Sequence, residues 1–582
     1  MPSTEEEPKS SVSDNTAPKV EPFEISHSSG DAAEHQPPND KFSAIKVPLG
    51  RVQFILVYVS LLVTNILSSL DQTIVTTTLK NVVAEFGQQE LISWIGTAFL
   101  FTAAPLGPLY GKFADIFGRK TMFLFALITF EIGSLICGVA NSMEMLIVGR
   151  AVAGVGGGGL FSLIFIILSD IVSIQDRGIY QGPFVAAMGL SLVIAPLIGG
   201  AFSDYLTWRW CYFINLPFGA AVTAVLALFL KFPPTEGSPR EKIGRIDGLG
   251  AALLFAAIMC FLTPLQLGGS TWAWNSGPVI GMFITSVILF LIFAYVEVNV
   301  AKEPIVPITL FINRSVAILL FMSLFVGAVF FGVAYYLVFF YQVVYGYSAT
   351  NSGVQLIPFV IGIVITSILC GILMSRYGRY THFFYIGPVI ITAGTVLISY
   401  FTNQTSAAQR IIFSLIFGIG IGNVLQSRTI GAQASVPHEL IAVVTALVQT
   451  GNTLGGAIGE SITGTIINNL LTANIASSTT LQYFIEIFIS KGLPVSTNDI
   501  FSLLEALEAV AADYPKNNTA AAAIYNMTIA NATSELIDGF NGAFKSAILA
   551  NAAFPVLILL MAPFVQQFQM KAGGPGIPNQ TE

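Results

Sequence analysis

From Val52 onward the chain alternates apolar runs of about 18 to 27 residues with short polar links, and this rhythm leaves few folds open. Runs of that length match helices crossing a hydrocarbon core of roughly 30 Å at about 1.5 Å per residue. Membrane strands would appear as alternating segments of about ten residues, whereas these runs are apolar on every side. Composition agrees: 54% of the 582 residues are hydrophobic and 10% charged, against roughly 25% charged in soluble domains. Mean hydropathy is +0.74. The spacing predicts an all-α polytopic membrane protein with fourteen transmembrane helices. They start near Val52, Leu91, Thr121, Leu146, Gln181, Cys211, Asp247, Pro278, Ser315, Thr350, Phe383, Ala407, Ile441 and Lys545. An even number puts both termini on one side.

Lys and Arg predict which side that is. With the N-terminus inside, the inner links and flanks hold Lys46, Arg51, Lys112, Arg119, Lys120, Arg177, Lys231, Arg240, Lys242, Arg245, Lys302, Arg314, Arg376, Arg379, Arg428 and Lys571. The outer links hold Lys80, Arg209 and Arg410. Residues 1–48 are polar, rich in Ser, Pro and Glu, and lack an apolar h-region. They are expected to form a disordered cytoplasmic tail without a cleavable signal, leaving the first membrane helix to direct insertion. Residues 569–582 are expected to form a second cytoplasmic tail. The net charge of −7 is spread over tails and links, and no basic run suited to nucleic acid occurs. Cys137, Cys211, Cys260 and Cys370 have neither disulfide-framework nor metal-ligand spacing, and are read as small apolar packers. No metal or other cofactor is expected. Residues 468–544 are predicted to form a long outer loop carrying the glycosylation sequons Asn517, Asn526 and Asn531, with another at Asn403. Inside it, the spacing of Ile500, Leu503, Leu504, Leu507 and Val510 predicts a short surface helix.

The stretch Gly111-Lys112-Phe113-Ala114-Asp115-Ile116-Phe117-Gly118-Arg119-Lys120 sets four charges between two apolar runs. A charge at the bilayer centre costs roughly 2.5–3.5 kcal/mol, so the stretch is predicted to be a tight turn in water. Gly111 and Gly118 would permit the sharp backbone, and Asp115 and Arg119 stand one helical turn apart, able to pair. Gly371-Ile372-Leu373-Met374-Ser375-Arg376-Tyr377-Gly378-Arg379 is a degraded copy 260 residues later, with Ser375 in place of the aspartate. The first copy follows predicted helix two and the second follows helix ten. Two six-helix repeats would give an offset of six, so helices seven and eight are an insert. The expected plan is a six-helix bundle at 49–232, a linker and two-helix insert at 233–313, and a second six-helix bundle at 314–568. Internal repeats of this kind build alternating access, with a binding site between the bundles near the midplane.

Ionisable side chains inside apolar runs are costly, and their default reading is functional. Asp71 lies in the outer part of the first predicted helix. Desolvation and a neighbouring cation act oppositely on such a carboxyl group, which suits it to exchange protons near neutral pH. Arg150, on the fourth helix, needs a carboxylate or a water-filled cavity, and Asp71 and Glu131 are both candidates. Glu131 lies mid-span in the third helix and Glu460 on the thirteenth; either can exchange protons or attract a cation. Glu297 is read as interfacial. The run Gly154-Val155-Gly156-Gly157-Gly158-Gly159 has no preceding strand, and no G-x-x-x-x-G-K-[ST] occurs, so it is read as a close-packing helix face rather than a nucleotide loop. Without an ATP site, a gradient must supply the driving force. Gly189, Pro196, Gly199 and Gly200 make the fifth helix pliant and closely packed. Phe330, Phe331, Tyr335, Tyr336, Phe339, Phe340 and Tyr341 crowd the ninth helix, where one or two are expected to line a cavity.

Several of these strings resemble motifs of the major facilitator superfamily. The Gly111 stretch resembles its G-x-L-a-D-r-x-G-r-k loop, with Phe113 and Ile116 as departures. Leu70-Asp71-Gln72-Thr73-Ile74-Val75 resembles the L-D-x-T-[IV]-V signature of the fourteen-spanner drug:proton antiporter branch. The segment from Arg150 resembles R-x-x-q-G-x-G-g with Ala153 for Gln, and Ala195-Pro196-Leu197-Ile198-Gly199-Gly200 resembles the antiporter ending G-P-x-x-G-G with Ala195 for Gly. Trp208-Arg209-Trp210-Cys211-Tyr212-Phe213-Ile214-Asn215-Leu216-Pro217-Phe218-Gly219 is similar to the corresponding string of fungal members. The resemblance implies a proton-coupled exporter of small amphipathic or toxic molecules, similar to fungal multidrug and toxin efflux pumps and working as a monomer. It implies coupling through Asp71 and Arg150, to which Glu131 and Glu460 are added for their place in apolar helices, an inner latch of Gly111, Asp115, Gly118, Arg119 and Lys120, and export through the motif of Gly189, Pro196, Gly199 and Gly200. A plasma-membrane location is expected, with the vacuolar membrane as alternative. A vacuolar basic-amino-acid carrier, a siderophore carrier and a non-transporting nutrient sensor stand as alternatives on the same frame, while an enzyme is not expected.

Overall fold

The computed structural model describes residues 49–568 apart from 87, 89, 90, 234, 236, 270, 271, 492–499 and 513–518. Both predicted tails and Asn517 therefore lie outside the described residues. The described chain is helical, with no strand. It opens with α1 (Arg51–Phe86), α2 (Ile92–Phe117), α3 (Arg119–Gly138), α4 (Met143–Ile171) and α5 (Arg177–Tyr205). There follow α6 (Trp210–Phe213), α7 (Asn215–Phe229), α8 (Pro239–Gly244), α9 (Gly248–Leu267), α10 (Gly277–Asn299) and α11 (Thr309–Ile312). Next come α12 (Arg314–Tyr345), α13 (Ala349–Gln355), α14 (Ile357–Tyr377), α15 (Phe383–Ser399), α16 (Ala407–Ala434) and α17 (Ile441–Ser477). The chain closes with α18 (Thr479–Ser490), α19 (Ile500–Ala512), α20 (Thr519–Asn551) and α21 (Ala553–Met561). Up to Ile441, each predicted span has a helix that starts within a turn of it. Twelve helical stretches among the described residues are long and apolar enough to cross a membrane; α2 and the 17-residue α15 are not among them.

Where helices meet inside lipid no water is released, so close packing of small residues does the work. The glycine run of α4 does this on two faces. A Cβ at Gly156 would run into the Ala126 carbonyl of α3, and one at Gly158 into the Ala103 carbonyl of α2. Buried apolar residues gather into one core from α1 to α5 and α7, and another from α12 onward that borrows Val185 and Val193 of α5. The helix pair α9–α10 sits to the side. Helix α9 packs on α2 and α17, whereas Ile284, Val287 and Leu291 of α10 stay exposed.

Three expectations need correcting. First, the Gly111 stretch is not a turn along its length. Helix α2 runs to Phe117 and only Gly118 breaks it, at φ 96°. Gly111 is a contact residue instead, since a Cβ there would lie 2.9 Å from the Ala446 Cβ of α17. The degraded copy repeats both roles. Gly371 packs back to back with Gly178 of α5, and Gly378 ends α14 at φ 68°. Second, the 468–544 segment is largely helix rather than loop. Helix α17 continues to Ser477, α18 and α19 follow, and α20 begins at Thr519, far ahead of Lys545. Polar residues on one face of α20 dilute its hydropathy, while Ile529, Ala532, Leu536, Phe540, Ala543, Phe544 and Ala547 keep a buried helical stripe. Third, Glu297 is buried, its carboxylate accepting the Ile305 and Val306 N–H groups at 3.1 and 3.2 Å and folding the chain after α10 back onto that helix.

That fold-back delivers Glu303 to Arg245, which donates to it through Nε (2.6 Å) and Nη2 (3.2 Å), and to Lys112 at 3.0 Å. The ties fasten the α9–α10 pair to the end of α2. The hydrogen bonds from Arg245 hold the Glu303 carboxyl below its usual value against a smaller opposing effect of burial. A depressed carboxyl stabilises the fold above its unfolded pKa, roughly 4.3, and loses that effect as pH falls through the folded value. Glu303→Gln should therefore cost roughly 0.2–1 kcal/mol at neutral pH, as partly exposed pairs do, and the thermal-melt difference from wild type should close below about pH 4. Gly156→Leu, driving a side chain into the α3 backbone, should cost roughly 3 kcal/mol or more, read as loss of monodisperse protein on size exclusion.

Candidate functional site

Helix α4 starts on Ser142, whose hydroxyl accepts the Met145 N–H at 3.2 Å, and its glycine face draws α2 and α3 inward. Arg150 is thereby aimed into a dry space among α1, α2, α3, α6 and α7, where it is 1% exposed and Asp71 0%. Its Nη1 meets Asp71 Oδ2 at 2.6 Å, its Nε donates to the Ile95 carbonyl at 3.2 Å, and its guanidinium carbon lies 4.7 Å from the Phe99 ring centre. The second Asp71 oxygen accepts from Asn215 Nδ2 at 3.3 Å, and the same amide group reaches Ser134 Oγ at 3.1 Å. Of the two carboxylates considered for Arg150, the partner is Asp71. Glu131 lies beside this network, its carboxylate pressed on Gly219 of α7, with neither oxygen meeting a hydrogen-bond donor. Asn215 and Ser134 were not singled out from the sequence. The available signal is an asparagine at the head of the otherwise apolar Asn215-Leu216-Pro217-Phe218-Gly219.

A second charged cluster closes the Gly118 end of the bundle. Arg119 pairs with Asp115 one turn earlier, donates from Nε to Asp170 Oδ2 of α4 at 3.0 Å, and from Nη1 to the Ala114 carbonyl at 3.0 Å. Asp170, also absent from the sequence reading, faces His438 Nε2 at 3.9 Å across the turn before α17. Lys120 donates to the Ala227 carbonyl at 2.6 Å. Gly189, Pro196 and Gly200 lie where α5 meets α13 and α14. Gly189 faces Val360 and Ile363, a Cβ at Gly353 would touch the Pro196 ring, and one at Gly200 would strike the Thr350 hydroxyl. Gly199 is buried, with its carbonyl towards the Cys211 thiol. At the opposite end Arg209 grips Glu85 through both oxygens, at 2.7 and 2.9 Å, and stacks 4.4 Å from the Trp208 ring.

The remaining candidates stand elsewhere. Glu460 is on α17, within electrostatic reach of Tyr335 and Tyr336 and without a hydrogen bond or ion pair among the described residues. Phe330, Phe340 and Tyr341 are core packing for α12, whereas Tyr335 is exposed. Asn531 is exposed on α20 and Asn526 lies on the same helix. Arg428 is not in an inner link: it sits well inside α16, 2% exposed. On another face of α16 the seam with α5 is polar, with Gln181 donating to Gln433 at 3.1 Å, Gln433 to Thr445 of α17 at 3.0 Å, and Gln426 to the Gly178 carbonyl at 3.1 Å.

This is the build of a polytopic helical membrane protein with ionic chemistry sealed between its helices. Residues 61–460 match the family model of the Major Facilitator Superfamily, and the chain belongs to that family. Within it, the chain falls in the branch of fungal efflux pumps. It is 36% identical over 417 residues to the MFS-type efflux pump MFS1 of Arthroderma benhamiae, covering 71% of this chain and 78% of that protein. It is 35% identical to the efflux pump aflT of Aspergillus parasiticus, covering 72% and 83%, and 32% identical to the rubrofusarin-specific efflux pump aurT of Gibberella zeae, covering 72% and 78%. Among solved structures, a bacterial homolog of the human lysosomal transporter Spinster superposes with TM-score 0.53 at 15% identity, over 89% of this chain and 98% of that one. The proton:xylose symporter XylE gives 0.53 at 12% identity, over 89% and 97%. These two likenesses concern the fold alone.

A buried pair gains little over apolar packing, but removing one partner strands the other charge at a cost of roughly 3–5 kcal/mol. Asp71→Asn should lower the thermal midpoint accordingly, and adding Arg150→Gln in the same chain should recover most of that loss. Detergent thermal melts of the single and double variants check this.

Proposed function

We propose that this transporter is a proton-coupled antiporter that exports small amphipathic molecules by alternating access. The observation that carries the reading is the dry Asp71–Arg150 pair, with the donorless Glu131 carboxyl beside it. A pair sealed from water cannot change protonation without a change of partner, so proton uptake at this site is tied to movement of α1, α3, α4 and α7. When Asp71 takes a proton, Arg150 loses its counter-ion and seeks another among the nearby acceptors, Glu131 included. Restoring the pair expels the proton. Carboxyls that alternate between proton and partner in this way give the exchange step an antiporter needs, and the names of the curated relatives favour export over uptake.

The remaining architecture of the proposal is fourteen spans, with α2 and α15 added to the twelve apolar stretches and α9–α10 lying between two six-helix halves. The two separate apolar cores support that division. The Asp115–Arg119–Asp170 cluster would hold the Gly118 end shut and part when that end opens, while the small-residue seam of α5 on α13 and α14 lets the halves rock. The Lys and Arg bias supports cytoplasmic termini, and the plasma membrane is the proposed site, with one chain as the working unit.

In secretory vesicles carrying wild-type protein with its cytoplasmic face outward, an imposed proton gradient, acid inside, should drive accumulation of an amphipathic dye. Asp71→Asn and Glu131→Gln should each reduce that accumulation by at least about tenfold at equal protein level, a loss of roughly 1.4 kcal/mol or more of coupling. Undiminished gradient-driven transport by the Asp71 variant would remove the pair from the mechanism.

A further inference from the structure

Arginine keeps its charge at any physiological pH, so a buried guanidinium needs acceptors from the protein or from something bound. Arg150 and the partly buried Arg119 have them from the protein, and the buried Arg177 has the Ser169 carbonyl at 2.8 Å for its Nη2 although its Nε and Nη1 find no partner among the described residues. Arg150 has Asp71, a carbonyl and a ring, and Arg119 has two aspartates and a carbonyl. Arg428 is different. It is 2% exposed on α16, and among the described residues its Nε has no hydrogen-bond partner and its one hydrogen bond is Nη1 to the Ser323 carbonyl of α12 at 3.5 Å, at the outer limit for such a bond. No carboxylate among the described residues lies within ion-pair distance of it.

The surroundings say what kind of partner fits. One turn further along α16, a Cβ on Gly431 would meet the Tyr380 ring at 3.0 Å and Leu319 at 3.5 Å, so the wall there is apolar. Ser323, whose carbonyl Arg428 reaches, is packed from α17 by Gly451, where a Cβ would lie 3.4 Å from the Ser323 Cβ. The same two helices, α16 and α17, carry further buried polar atoms without partners: Asn423 Oδ1, Thr450 Oγ1 and Asn452 Oδ1. A planar fork of donors beside an apolar wall suits a carboxylate or enolate on a flat hydrophobic body, which it can hold through two parallel hydrogen bonds.

We propose that Arg428 is the anion-receiving group of the cargo site, and that the cargo class is amphipathic organic anions. This rests on the transport reading above only in taking a small molecule as cargo. The test is thermal melting of the purified full-length protein in detergent with 6-carboxyfluorescein or 1-naphthoate as probe, and inorganic phosphate as control. For wild type, the two aromatic anions should raise the midpoint saturably and phosphate should not. Arg428→Gln should fold, because it removes an uncompensated charge, and should raise the half-saturating anion concentration at least about tenfold, the weight of a charge-assisted bidentate contact. Arg428→Lys, which keeps the charge but loses the fork, should fall between the two, and it carries the test should the Gln variant fail to fold. Equal binding by the variants, no midpoint shift of wild type with either aromatic anion, or a response to phosphate alone would overturn the proposal. Because binding is read without a gradient, a failure of proton-driven export would leave this result standing, and loss of the Arg428 role would leave export intact.

Discussion

A guanidinium that cannot be neutralised, held where no water reaches, dictates the arrangement of the first helices. Arg150 must have a carboxylate, and the carboxylate must arrive from another helix, because its neighbours on α4 are glycines and alkyl side chains. Asp71 supplies it from α1, the Ile95 carbonyl adds an acceptor from α2, and Asn215 steadies the second carboxylate oxygen from α7. One ionic contact thus sets the relative positions of α1, α2, α4 and α7, elements that a purely apolar interface would allow to slide. Such a pair gives specificity more than stability, since its Coulomb gain is largely offset by desolvation.

The glycines make the pair possible. A guanidinium reaches only so far, and α2, α3 and α4 come close enough because Gly154, Gly156 and Gly158 present bare backbone to the Phe99, Ala126 and Ala103 neighbourhoods. The same device operates at the seams where the two groups of helices meet, with Gly111 on Ala446 and Gly178 on Gly371. Both copies of the charged stretch use their first glycine for this contact and their second, Gly118 or Gly378, for a left-handed break that no other residue adopts cheaply. The repeat is thus a repeat of mechanics. The charges differ: Arg119 pairs with both Asp115 and Asp170 in the first copy, and Ser375 removes the acid from the second. The end of the bundle near Gly118 is accordingly held by ions on one side and by bare backbone contact on the other.

Ionic ties also attach the α9–α10 pair, whose α10 keeps Ile284, Val287 and Leu291 exposed. Glu297 folds the following chain back, and Glu303 then joins Arg245 to Lys112 at the end of α2. Because Lys112 belongs to the same stretch as the Asp115–Arg119 pair, α9 and α10 are mechanically connected to the charged end of the bundle.

Helix placement was legible from local chemistry, since a bilayer-length apolar run has one stable backbone and charged links mark its ends; the Asp115–Arg119 pair also forms, but across the break at Gly118 rather than along one helix. The failures share a cause. Hydropathy averages over all faces, so α20 was seen only from Lys545, although its buried stripe begins at Ile529. A residue's position in a sequence does not say which neighbour it meets. Gly111 looked like a turn and is a helix contact, Arg428 looked like a link residue and is buried, and Glu297 looked interfacial and caps a fold-back. Sequence alone determined that Asp71, Glu131 and Arg150 are ionisable groups in apolar helices and therefore need partners. Only the tertiary structure decided that Asp71 takes the arginine, that Glu131 is left without a donor, and that Asn215, Ser134 and Asp170 belong to the same networks. Partner choice among buried charges depends on separations of a few ångströms between helices far apart in the chain, and no local pattern encodes those distances.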